Sequence, residues 1–431
     1  MTNLNQPSTE PALLRSEGGT SVSPDILSAA GSIPSSCLHG IFRAAEARER
    51  QTGEAVVKLH VGEPYYTPTD DVAEAFVAAV RRGETRYMGI EGHVDLREAI
   101  VEKLRDDNGI DTTASRVLVT PGSCQGLFSL LKTLAEPGAE ILLPELHWPV
   151  HLQQALLAGF RPVLYPLGPD FRPDPEVIAA AATPRTKVLL INSPANPTGV
   201  VLDAAEIGAL LGLARGRGWH VISDEAYEHF CYDREHLSVA SLERDLPVDE
   251  RIVHSVFTFS KSFAMTGYRL GYVALANDRA ADVMKVVQEA NIIGTSTPVQ
   301  HAGIAALKSR ADAAAANRKA VQRNRDVALS ALARAGLLRE LPAGGWYAML
   351  DVARTGLDAE TFALRLLESK GVAVVPGNGF AMRPTLDEQG RIVSHDYAPW
   401  ARSLIRIAFC VDPAQLETGV RLLLDFVDEC V

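Results

Sequence analysis

The segment from residue 188 to residue 227 reads VLLINSPANPTGVVLDAAEIGALLGLARGRGWHVISDEAY. It begins and ends with short apolar runs, Val188–Asn192 and His220–Ser223, which are typical of strands buried on both faces of a parallel sheet. The stretch between them, Ala204–Arg215, is typical of a helix. A strand, a helix and a second strand in this order predict two parallel strands joined by a helical crossover.

The same alternation extends in both directions along the chain. Further buried strands are predicted at Val117–Thr120, Ile141–Pro144, Pro162–Tyr165, Ile252–Phe257 and Leu270–Ala274. Helical stretches lie between most of the strands, for example Asp70–Arg82, Leu96–Asn108 and Gln125–Leu134. This pattern predicts an α/β fold, a three-layer αβα sandwich around a mostly parallel sheet.

The sequence predicts two domains after a lead-in. Residues 1–23 contain neither a basic start nor an apolar core of a signal peptide, so we expect a disordered segment there. Residues 70–320 form the predicted large α/β domain. Residues 24–69 and 321–431 form a smaller αβ domain from both chain ends. Its first part begins with a predicted helical segment over about Pro24–Gln51, and a long helical stretch over Pro298–Ala335 leads into its second part.

Composition and charge exclude several classes of protein. The chain has 431 residues, of which 47% are hydrophobic and 22% charged, the balance of a soluble globular protein. Its net charge of −11 argues against a nucleic-acid partner, and it lacks the ~18–20-residue apolar run of a membrane helix. Its 5 cysteines form no CxxC pair, which argues against disulfides and a metal site and favours the cytoplasm.

Polar residues collect at the carboxyl ends of the predicted strands, where open parallel sheets bind ligands. One strand runs into Pro121–Cys124 before a helix, and the free N–H groups of such a turn suit a phosphate, although an ordinary turn has the same pattern. The loop Ser193–Gly199 holds Asn196 between two prolines. Asp224 ends an apolar strand, where a buried acid needs a partner unless it caps a helix.

Lys261 stands in the run Thr258–Tyr272 among hydroxyl and apolar residues, with no acid nearby in sequence. Apolar surroundings favour a neutral, nucleophilic amine over an ammonium group. A lysine on a surface loop is the alternative, which the neighbouring Phe259, Phe263 and Met265 disfavour.

The residues Asn196, Asp224, Tyr227, Lys261 and Arg269, in this order, resemble the cofactor site of class I and II aminotransferases, enzymes of fold type I. The motifs NPTG, SDEAY and GYRLGY carry the resemblance, which extends over about residues 55–425. It implies an aminotransferase that binds pyridoxal phosphate as a Schiff base to Lys261 and needs no metal. An L-amino acid and a 2-oxo acid are the implied substrates.

The resemblance also assigns a role to each residue of the site. Lys261, Asp224 and Tyr227 are the implied catalytic residues. Asp224 matches the acid that faces the ring nitrogen, Tyr227 and Asn196 match the donors to the 3′-oxygen, and Trp148 matches the aromatic residue stacked on the ring. The cofactor phosphate would be held by Ser123, Cys124, Thr258 and Arg269.

Two further positions concern the substrate and a partner subunit. Arg406, in an apolar strand, matches the arginine that binds the substrate α-carboxylate, and the backbone of Gly62 and the side chain of Asn196 would lie close to the same group. Tyr87 matches the tyrosine that reaches the phosphate in the other subunit, which implies a homodimer with composite sites. An ordinary packing tyrosine is the alternative.

Several alternatives stay open. The same scaffold supports elimination, cyclisation and oxidative deamination of amino acids. The substrate is not identified: Tyr65 replaces a frequent Asp, and the unusually long segment 381–402 either shapes the side-chain pocket or is surface variation. A transcriptional regulator is disfavoured because too few residues, without basic character, precede the first matched element. A nucleotide-binding protein is disfavoured because neither GxGxxG nor GxxxxGK[ST] occurs.

Overall fold

The computed structural model describes residues 29–34 and 37–431, so the predicted lead-in 1–23 lies outside the described residues. The helices are α1 (Cys37–Thr52), α2 (Asp70–Arg81), α3 (Val94–Asn108), α4 (Gly122–Leu134), α5 (Pro149–Ala158), α6 (Pro175–Ala181), α7 (Ala204–Arg217), α8 (Asp278–Asn291), α9 (Thr297–Lys308), α10 (Arg310–Asn324), α11 (Ser330–Arg334), α12 (Ala359–Lys370) and α13 (Pro413–Cys430). The strands are β1 (Val57–Lys58), β2 (Val117–Thr120), β3 (Glu140–Pro144), β4 (Arg161–Tyr165), β5 (Thr186–Asn192), β6 (His220–Asp224), β7 (Val253–Thr258), β8 (Gly271–Ala274), β9 (Tyr347–Asp351), β10 (Val372–Ala373), β11 (Val375–Pro376), β12 (Met382–Leu386), β13 (Ile392–Tyr397) and β14 (Leu404–Ala408).

A seven-stranded sheet in the order β2-β8-β7-β6-β5-β3-β4 forms the centre of the large region. The pairs from β7 to β4 are parallel, whereas β8 runs antiparallel to both β2 and β7. The sequence prediction of a mostly parallel sheet is therefore confirmed. Strand β8 reverses because the link from β7 contains no helix, and a parallel return needs a long, usually helical, crossover.

Helix α7, the crossover between β5 and β6, has clear start and stop signals and an apolar side. The Asp203 carboxylate accepts hydrogen bonds from the first-turn N–H groups. The Glu206 carboxylate accepts in turn from the backbone N–H of Asp203, which completes a capping box. Gly218, at φ +68°, ends the helix in the left-handed conformation that glycine adopts without strain. Ile207 and Leu210 are buried against the sheet, so the apolar side of the helix covers the strands.

The predicted boundaries differ from the structure in two helical stretches. The stretch Pro298–Ala335 is divided into α9, α10 and α11, with a π-helical turn at Arg325–Leu329. At that turn, the Asn324 amide donates to the carbonyls of Phe409 and Val411, contacts that local sequence does not reveal. The predicted helix over 24–51 is a short turn at Ala29–Ser32 followed by α1, and its first residues lie outside the described part.

The two ends of the chain meet in a second αβ region. Strand β1 pairs in parallel with β10, and a three-stranded antiparallel sheet in the order β11-β14-β9 lies beside α12 and α13. Trp346, Phe362 and Phe409 are fully buried in its core. This arrangement is compatible with the small domain predicted at 24–69 and 321–431, and the domain limits stay a prediction.

The long segment 381–402 forms a β-hairpin of β12 and β13. Met382, Leu386 and Ile392 pack against the buried cluster formed by α4, α5 and the central sheet. Arg161 also donates to the carbonyl of Asp387, 2.9 Å away. The hairpin is therefore an ordered element packed on the large region. Among the helices in the described part of the chain, none has the length and apolar character required to cross a bilayer.

Candidate active site

Three neighbouring strands bring polar residues to one edge of the central sheet. In the register of β5, β6 and β7, Asn192 pairs with Asp224 and Asp224 with Val256, so the strands end together. The Asn192 amide donates to the carbonyl of Asp224 at 3.0 Å, and its oxygen accepts from the backbone of Asn196 at 2.9 Å. Asn192 therefore orients the loop that carries Asn196.

Asp224 is buried, and one of its carboxylate oxygens lies 2.8 Å from Nε2 of His151. The other oxygen accepts from the backbone N–H of Ala226 at 3.2 Å. The interpretation of a buried acid with a partner is therefore correct, whereas the helix-cap alternative is wrong, because Asp224 is followed by a turn at residues 226–229 and not by a helix. His151 was not predicted, since it is a single histidine in the apolar helix α5.

The amino terminus of α4 forms a cradle for an anion. Its first N–H groups, at Gly122, Ser123 and Cys124, have no carbonyl one turn earlier in the helix. Gly122 has φ +77°, and an added Cβ would lie 2.4 Å from the Arg269 guanidinium. A Cβ on Gly271 would lie 2.5 Å from the backbone nitrogen of Ser123, so the close approach of β8 also requires glycine.

Two backbone features shape the loop that follows β7. Arg269 and Ala264 have φ values of +57° and +54°. Residues other than glycine rarely adopt such values, and those that do are often found at functional sites. Arg269 donates to the carbonyl of Thr266 at 2.8 Å, which holds its guanidinium beside Gly122. Thr258 is buried at the end of β7, and its hydroxyl accepts from the backbone of Ser260 at 3.1 Å.

The thiol of Cys124 contributes no charge to the cradle. Burial raises the pKa of this thiol, although the Arg269 charge and the Gln154 amide act in the opposite direction. Gln154 donates to both the carbonyl and the sulfur of Cys124, at 2.8 and 3.2 Å. The backbone N–H of Cys124 is thus the group that suits an anion, as the sequence interpretation expects.

Lys261 is half-buried, and its Nζ donates to the carbonyl of Gly62 at 2.8 Å. The ammonium lies 5.2 Å from the centre of the Trp346 ring and 5.8 Å from that of Tyr227. The hydroxyl of Tyr66 donates to the carbonyl of Lys261. Lys261 therefore points into a space lined by aromatic rings, which excludes the interpretation of a surface lysine.

Arg406 is only 2% exposed and occupies the middle of the central strand β14. Its guanidinium donates to Oδ1 of Asn196 at 3.2 Å and to the carbonyl of His60 at 2.9 Å. Burial, together with the charges of Arg406 and Lys58, lowers the pKa of His60 to about 4. His60 is therefore neutral at neutral pH and does not compete with Arg406 as a cation.

Tyr347, which the sequence interpretation missed, joins two predicted site residues. The hydroxyl of Tyr227 donates to the hydroxyl of Tyr347 at 3.1 Å. The ring of Tyr347 lies 4.1 Å from the Arg406 guanidinium, and Phe380 lies 4.7 Å from it. The contact between the tyrosines spans 120 residues of sequence, so no local pattern could have revealed it.

Trp148 and Tyr87 have very different surroundings. Trp148 is half-buried at the start of α5, and its ring contacts that of His151 edge to face, with centres 5.2 Å apart. Tyr87 is 88% exposed, so it does not pack within its own chain. The alternative of a packing tyrosine at position 87 is therefore wrong for the single chain.

The hairpin segment and Tyr65 border the same region. Arg383 and the indole N–H of Trp400 both contact the Glu145 carboxylate, at 3.5 and 3.3 Å. Glu145 precedes Trp148 by three residues, so the hairpin holds the loop that presents this ring. Tyr65 is 37% exposed beside Tyr66, with ring centres 5.5 Å apart.

The chemistry of these groups fits pyridoxal phosphate. An amine at Lys261 suits an aldehyde, and the carboxylate of Asp224 suits a protonated ring nitrogen. The cradle of N–H groups beside Arg269 suits a phosphate, because Arg269 occupies the space that any side chain at position 122 would need. The site thus offers a matching group for each functional part of the cofactor.

Comparisons with known proteins agree with this assignment. Residues 54–423 match the family described as aminotransferase class I and II. A probable aspartate/prephenate aminotransferase of Thermus aquaticus is 36% identical over 353 residues, 81% of this chain and 90% of the relative. An arginine–pyruvate transaminase of Pseudomonas aeruginosa is 34% identical over 79% of this chain and 86% of its own length.

A solved structure is also similar over nearly its whole length. A double mutant of the Thermus thermophilus aspartate aminotransferase superposes with a TM-score of 0.83, at 31% identity, and the match covers 93% of this chain and 99% of that one. The range that matches the family, residues 54–423, includes all the site residues described above. The chain belongs to the class I and II aminotransferases and is a pyridoxal-phosphate-dependent transferase.

Proposed function

We propose that this aminotransferase uses Lys261 to bind its cofactor as a Schiff base and Arg406 to bind the α-carboxylate of an L-amino acid, whose nitrogen passes to a 2-oxo acid. One observation supports the proposal most strongly. Lys261 and Arg406 donate to the carbonyls of Gly62 and His60, which are two residues apart in the short segment that follows β1.

This spacing suits an α-amino acid. Two residues of chain span at most about 7 Å, so the backbone carbonyls that anchor Lys261 and Arg406 are separated by no more than about this distance. The amino and carboxylate groups of the substrate are attached to the same carbon, and they need partners at such a separation. A pocket for an amine and a carboxylate placed far apart would have no use for this arrangement.

Each side chain then has a defined task at a stated atom. Arg406 is planar and buried, so it can bind both carboxylate oxygens in one plane and fix the direction of the Cα–H bond. The Nζ of Lys261 would take the proton from Cα of the donor amino acid, and in the second half of the reaction it would supply a proton to Cα of the acceptor. The aromatic rings around Nζ exclude water from this transfer.

The remaining residues hold the cofactor. Pyridoxal phosphate supplies an electron sink for the negative charge that develops at Cα. The Asp224 carboxylate, oriented by His151, stabilises a proton on the ring nitrogen. Tyr227 and Asn196 would donate to the 3′-oxygen, Trp148 would pack on the ring, and Ser123, Cys124, Thr258 and Arg269 would bind the phosphate.

The relatives favour transamination over elimination, cyclisation or oxidative deamination, since the most similar ones are named for amino-group transfer. Their names also suggest donors. The Thermus relatives are named for aspartate and prephenate and the Pseudomonas relative for arginine and pyruvate, so we take aspartate as the first donor to test and arginine as the second.

The experiment is a donor and acceptor panel. The holoenzyme is incubated with aspartate, glutamate, phenylalanine or arginine together with 2-oxoglutarate, pyruvate or prephenate, and both products are identified. We expect equal amounts of a new amino acid and a new 2-oxo acid. Release of ammonia without a new amino acid would show one of the other reactions instead.

We also propose a homodimer in which Tyr87 serves the opposite site. Tyr87 lies in a loop next to Gly294, and the neighbouring Ile293 and Val286 are 48% and 65% exposed. Lys285 of α8 pairs with Glu91 at 3.8 Å, which places this apolar face beside the loop. An exposed apolar face of this kind is typical of a subunit interface. The cytoplasm remains the predicted location.

Complementation tests the composite site. Tyr87→Phe and Lys261→Ala subunits, refolded together, would form one intact site per heterodimer if Tyr87 acts across the interface, so activity should rise above that of either variant. Arg269→Lys mixed with Lys261→Ala is the matched control, because both residues serve the same subunit's site and cannot complement. A fully active monomer in light scattering would contradict the proposal.

A further inference from the structure

Tyr347, the first residue of β9, contacts several residues of the candidate site, although none of the roles proposed above involves it. It is 3% exposed, and its hydroxyl and its ring have different partners. We propose that Tyr347 is a further positioning residue of the transamination site, whose hydroxyl strengthens hydrogen bonding by Tyr227 to the cofactor and whose ring supports Arg406. This inference rests on the roles proposed above for Tyr227 and Arg406.

The first step concerns the two hydroxyl groups. In the structure Tyr227 donates to Tyr347 across 3.1 Å, and both side chains are buried. A hydroxyl has one proton and can accept as well as donate. When Tyr227 turns its proton toward the cofactor oxygen, its own oxygen becomes an acceptor, and Tyr347 is the donor placed to fill that position.

The surroundings of Tyr347 make it a strong donor. Burial alone would raise the pKa of its hydroxyl, but the positive charges of Lys261 and Arg406 outweigh burial and lower this pKa below the usual value of tyrosine. Burial and the neighbouring Tyr347 instead raise the pKa of Tyr227 well above that value. Once the Tyr227 proton is turned toward the cofactor, the more acidic Tyr347 hydroxyl is placed to donate to the Tyr227 oxygen, and a donor at that oxygen strengthens the bond that Tyr227 makes onward.

The second step concerns the ring. The Arg406 guanidinium lies between the rings of Tyr347 and Phe380, at 4.1 and 4.7 Å from their centres. Such contacts attract a cation and also fix the plane of the guanidinium. Asn196 and the backbone of His60 hold its edge. The ring of Tyr347 thus orients the carboxylate clamp independently of its hydroxyl.

The position of Gly62 supports this assignment. A Cβ on Gly62 would lie 1.9 Å from the Tyr347 hydroxyl oxygen, so position 62 accepts no other residue while Tyr347 keeps its place. The carbonyl of the same Gly62 accepts from Lys261 at 2.8 Å. The Tyr347 hydroxyl therefore lies against the residue that also positions the reacting amine.

The experiment separates hydroxyl from ring with two substitutions. Tyr347→Phe keeps the ring, so kcat should fall about three- to tenfold while KM for the amino acid changes less than about twofold. The pKa read from the visible band of the bound cofactor should rise by about 0.5 to 1 unit, because a weaker bond from Tyr227 favours the charged oxygen less. Tyr347→Leu should in addition raise KM about fivefold or more.

A double-mutant cycle and a matched control complete the test. On a Tyr227→Phe background, Tyr347→Phe should cause no further shift of the visible pKa, because its hydroxyl acts through Tyr227. Tyr232→Phe removes another buried hydroxyl of the same core, one that donates to the carbonyl of Gly345, and should change neither kcat nor the visible pKa.

The outcomes distinguish this inference from the proposed function. If the wild-type cofactor is bound at Lys261 and Tyr347→Phe shifts neither kcat nor the visible pKa, only the role of Tyr347 is overturned. An equal shift with and without Tyr227 overturns the action through that hydroxyl. If the cofactor is not bound at Lys261, the proposed function fails and this inference fails with it.

Discussion

The Nζ of Lys261 donates a hydrogen bond to the backbone carbonyl of Gly62 across 2.8 Å, although 199 residues separate the two in sequence. Two residues before Gly62, the carbonyl of His60 accepts from Arg406, 346 residues away. A single short segment near the beginning of the described chain therefore contacts both Lys261 and Arg406. The geometry of the proposed site depends on how segments distant in sequence pack together.

Arg406→Lys should not behave as a conservative change. Lysine cannot bind a carboxylate through two coplanar donors, and truncating one partner of a buried charge pair costs about 2–5 kcal/mol. We expect kcat/KM to fall by about 30-fold to several thousand-fold, and by a similar factor for every accepted amino acid. The visible cofactor band should persist. A loss confined to one substrate would place Arg406 in the side-chain pocket instead.

His151→Leu should weaken the cofactor site without touching the reacting atoms. Asp224 would remain buried without the partner that now lies 2.8 Å away, and a lost hydrogen bond to a charged group costs about 1.5–3 kcal/mol. The cofactor dissociation constant should rise by about 10- to 100-fold. His254→Leu, at another fully buried histidine, is the control and should lower thermal stability only. Equal cofactor affinities in the two variants would contradict the role of His151.

Gly122→Ala should weaken cofactor binding at the anion cradle, because it adds one methyl group there. Alanine at φ +77° costs about 1 kcal/mol in unfolding free energy, and its Cβ would also displace the Arg269 guanidinium. Gly218→Ala is a matched control, since Gly218 has φ +68° and nothing within 4 Å of an added Cβ. Both variants should lose similar stability in denaturant unfolding, but only Gly122→Ala should weaken cofactor binding in equilibrium dialysis. Unchanged affinity in Gly122→Ala would argue against a phosphate there.

Acid stability should depend on Glu228, the buried residue that follows Tyr227 in the chain. Burial alone would raise the pKa of this carboxyl, but the Lys103 ammonium, with His229 and Asn108, lowers it to about 2. The folded pKa lies below the unfolded value of about 4.3. The contribution of Glu228 to the free energy of unfolding is therefore complete above pH 4.3 and is lost as the pH falls toward 2.

Glu228→Gln tests this contribution. The slope of unfolding free energy between about pH 4.3 and pH 2 should become shallower than in the wild type, and the variant should be less stable at pH 7, where Lys103 would be left buried without its partner. The measurement is urea unfolding across this pH range. An unchanged slope would show that folding does not shift the pKa of Glu228, which would contradict this contribution.

The sequence predicted the central sheet well because its strands are continuous apolar runs between turn residues. It also indicated that Asp224 and Asn196 belong to a candidate site, because polar residues at the carboxyl ends of apolar strands are typical of ligand sites in parallel sheets. It could not reveal the partners of those groups. His151 reaches Asp224 across 73 residues and Tyr347 reaches Tyr227 across 120, and such contacts depend on tertiary packing alone.

The broken helix after Pro298 has the same cause. Most of its residues favour helix, and the π-helical turn at Arg325–Leu329 is associated with contacts to residues that follow β14 rather than with a local Pro or Gly. The hairpin of β12 and β13 was visible only as extra length, because nothing in its sequence specifies that Met382 and Ile392 pack on the large region.

The most direct test of the account is to find the lysine that carries the cofactor. The holoenzyme is reduced with borohydride, which makes the Schiff base permanent, then digested, and the modified peptide is sequenced by mass spectrometry. We predict modification at Lys261 and loss of both modification and turnover in Lys261→Ala. Modification of a different lysine, or a Lys261→Ala variant that transaminates at the wild-type rate, would contradict the central claim.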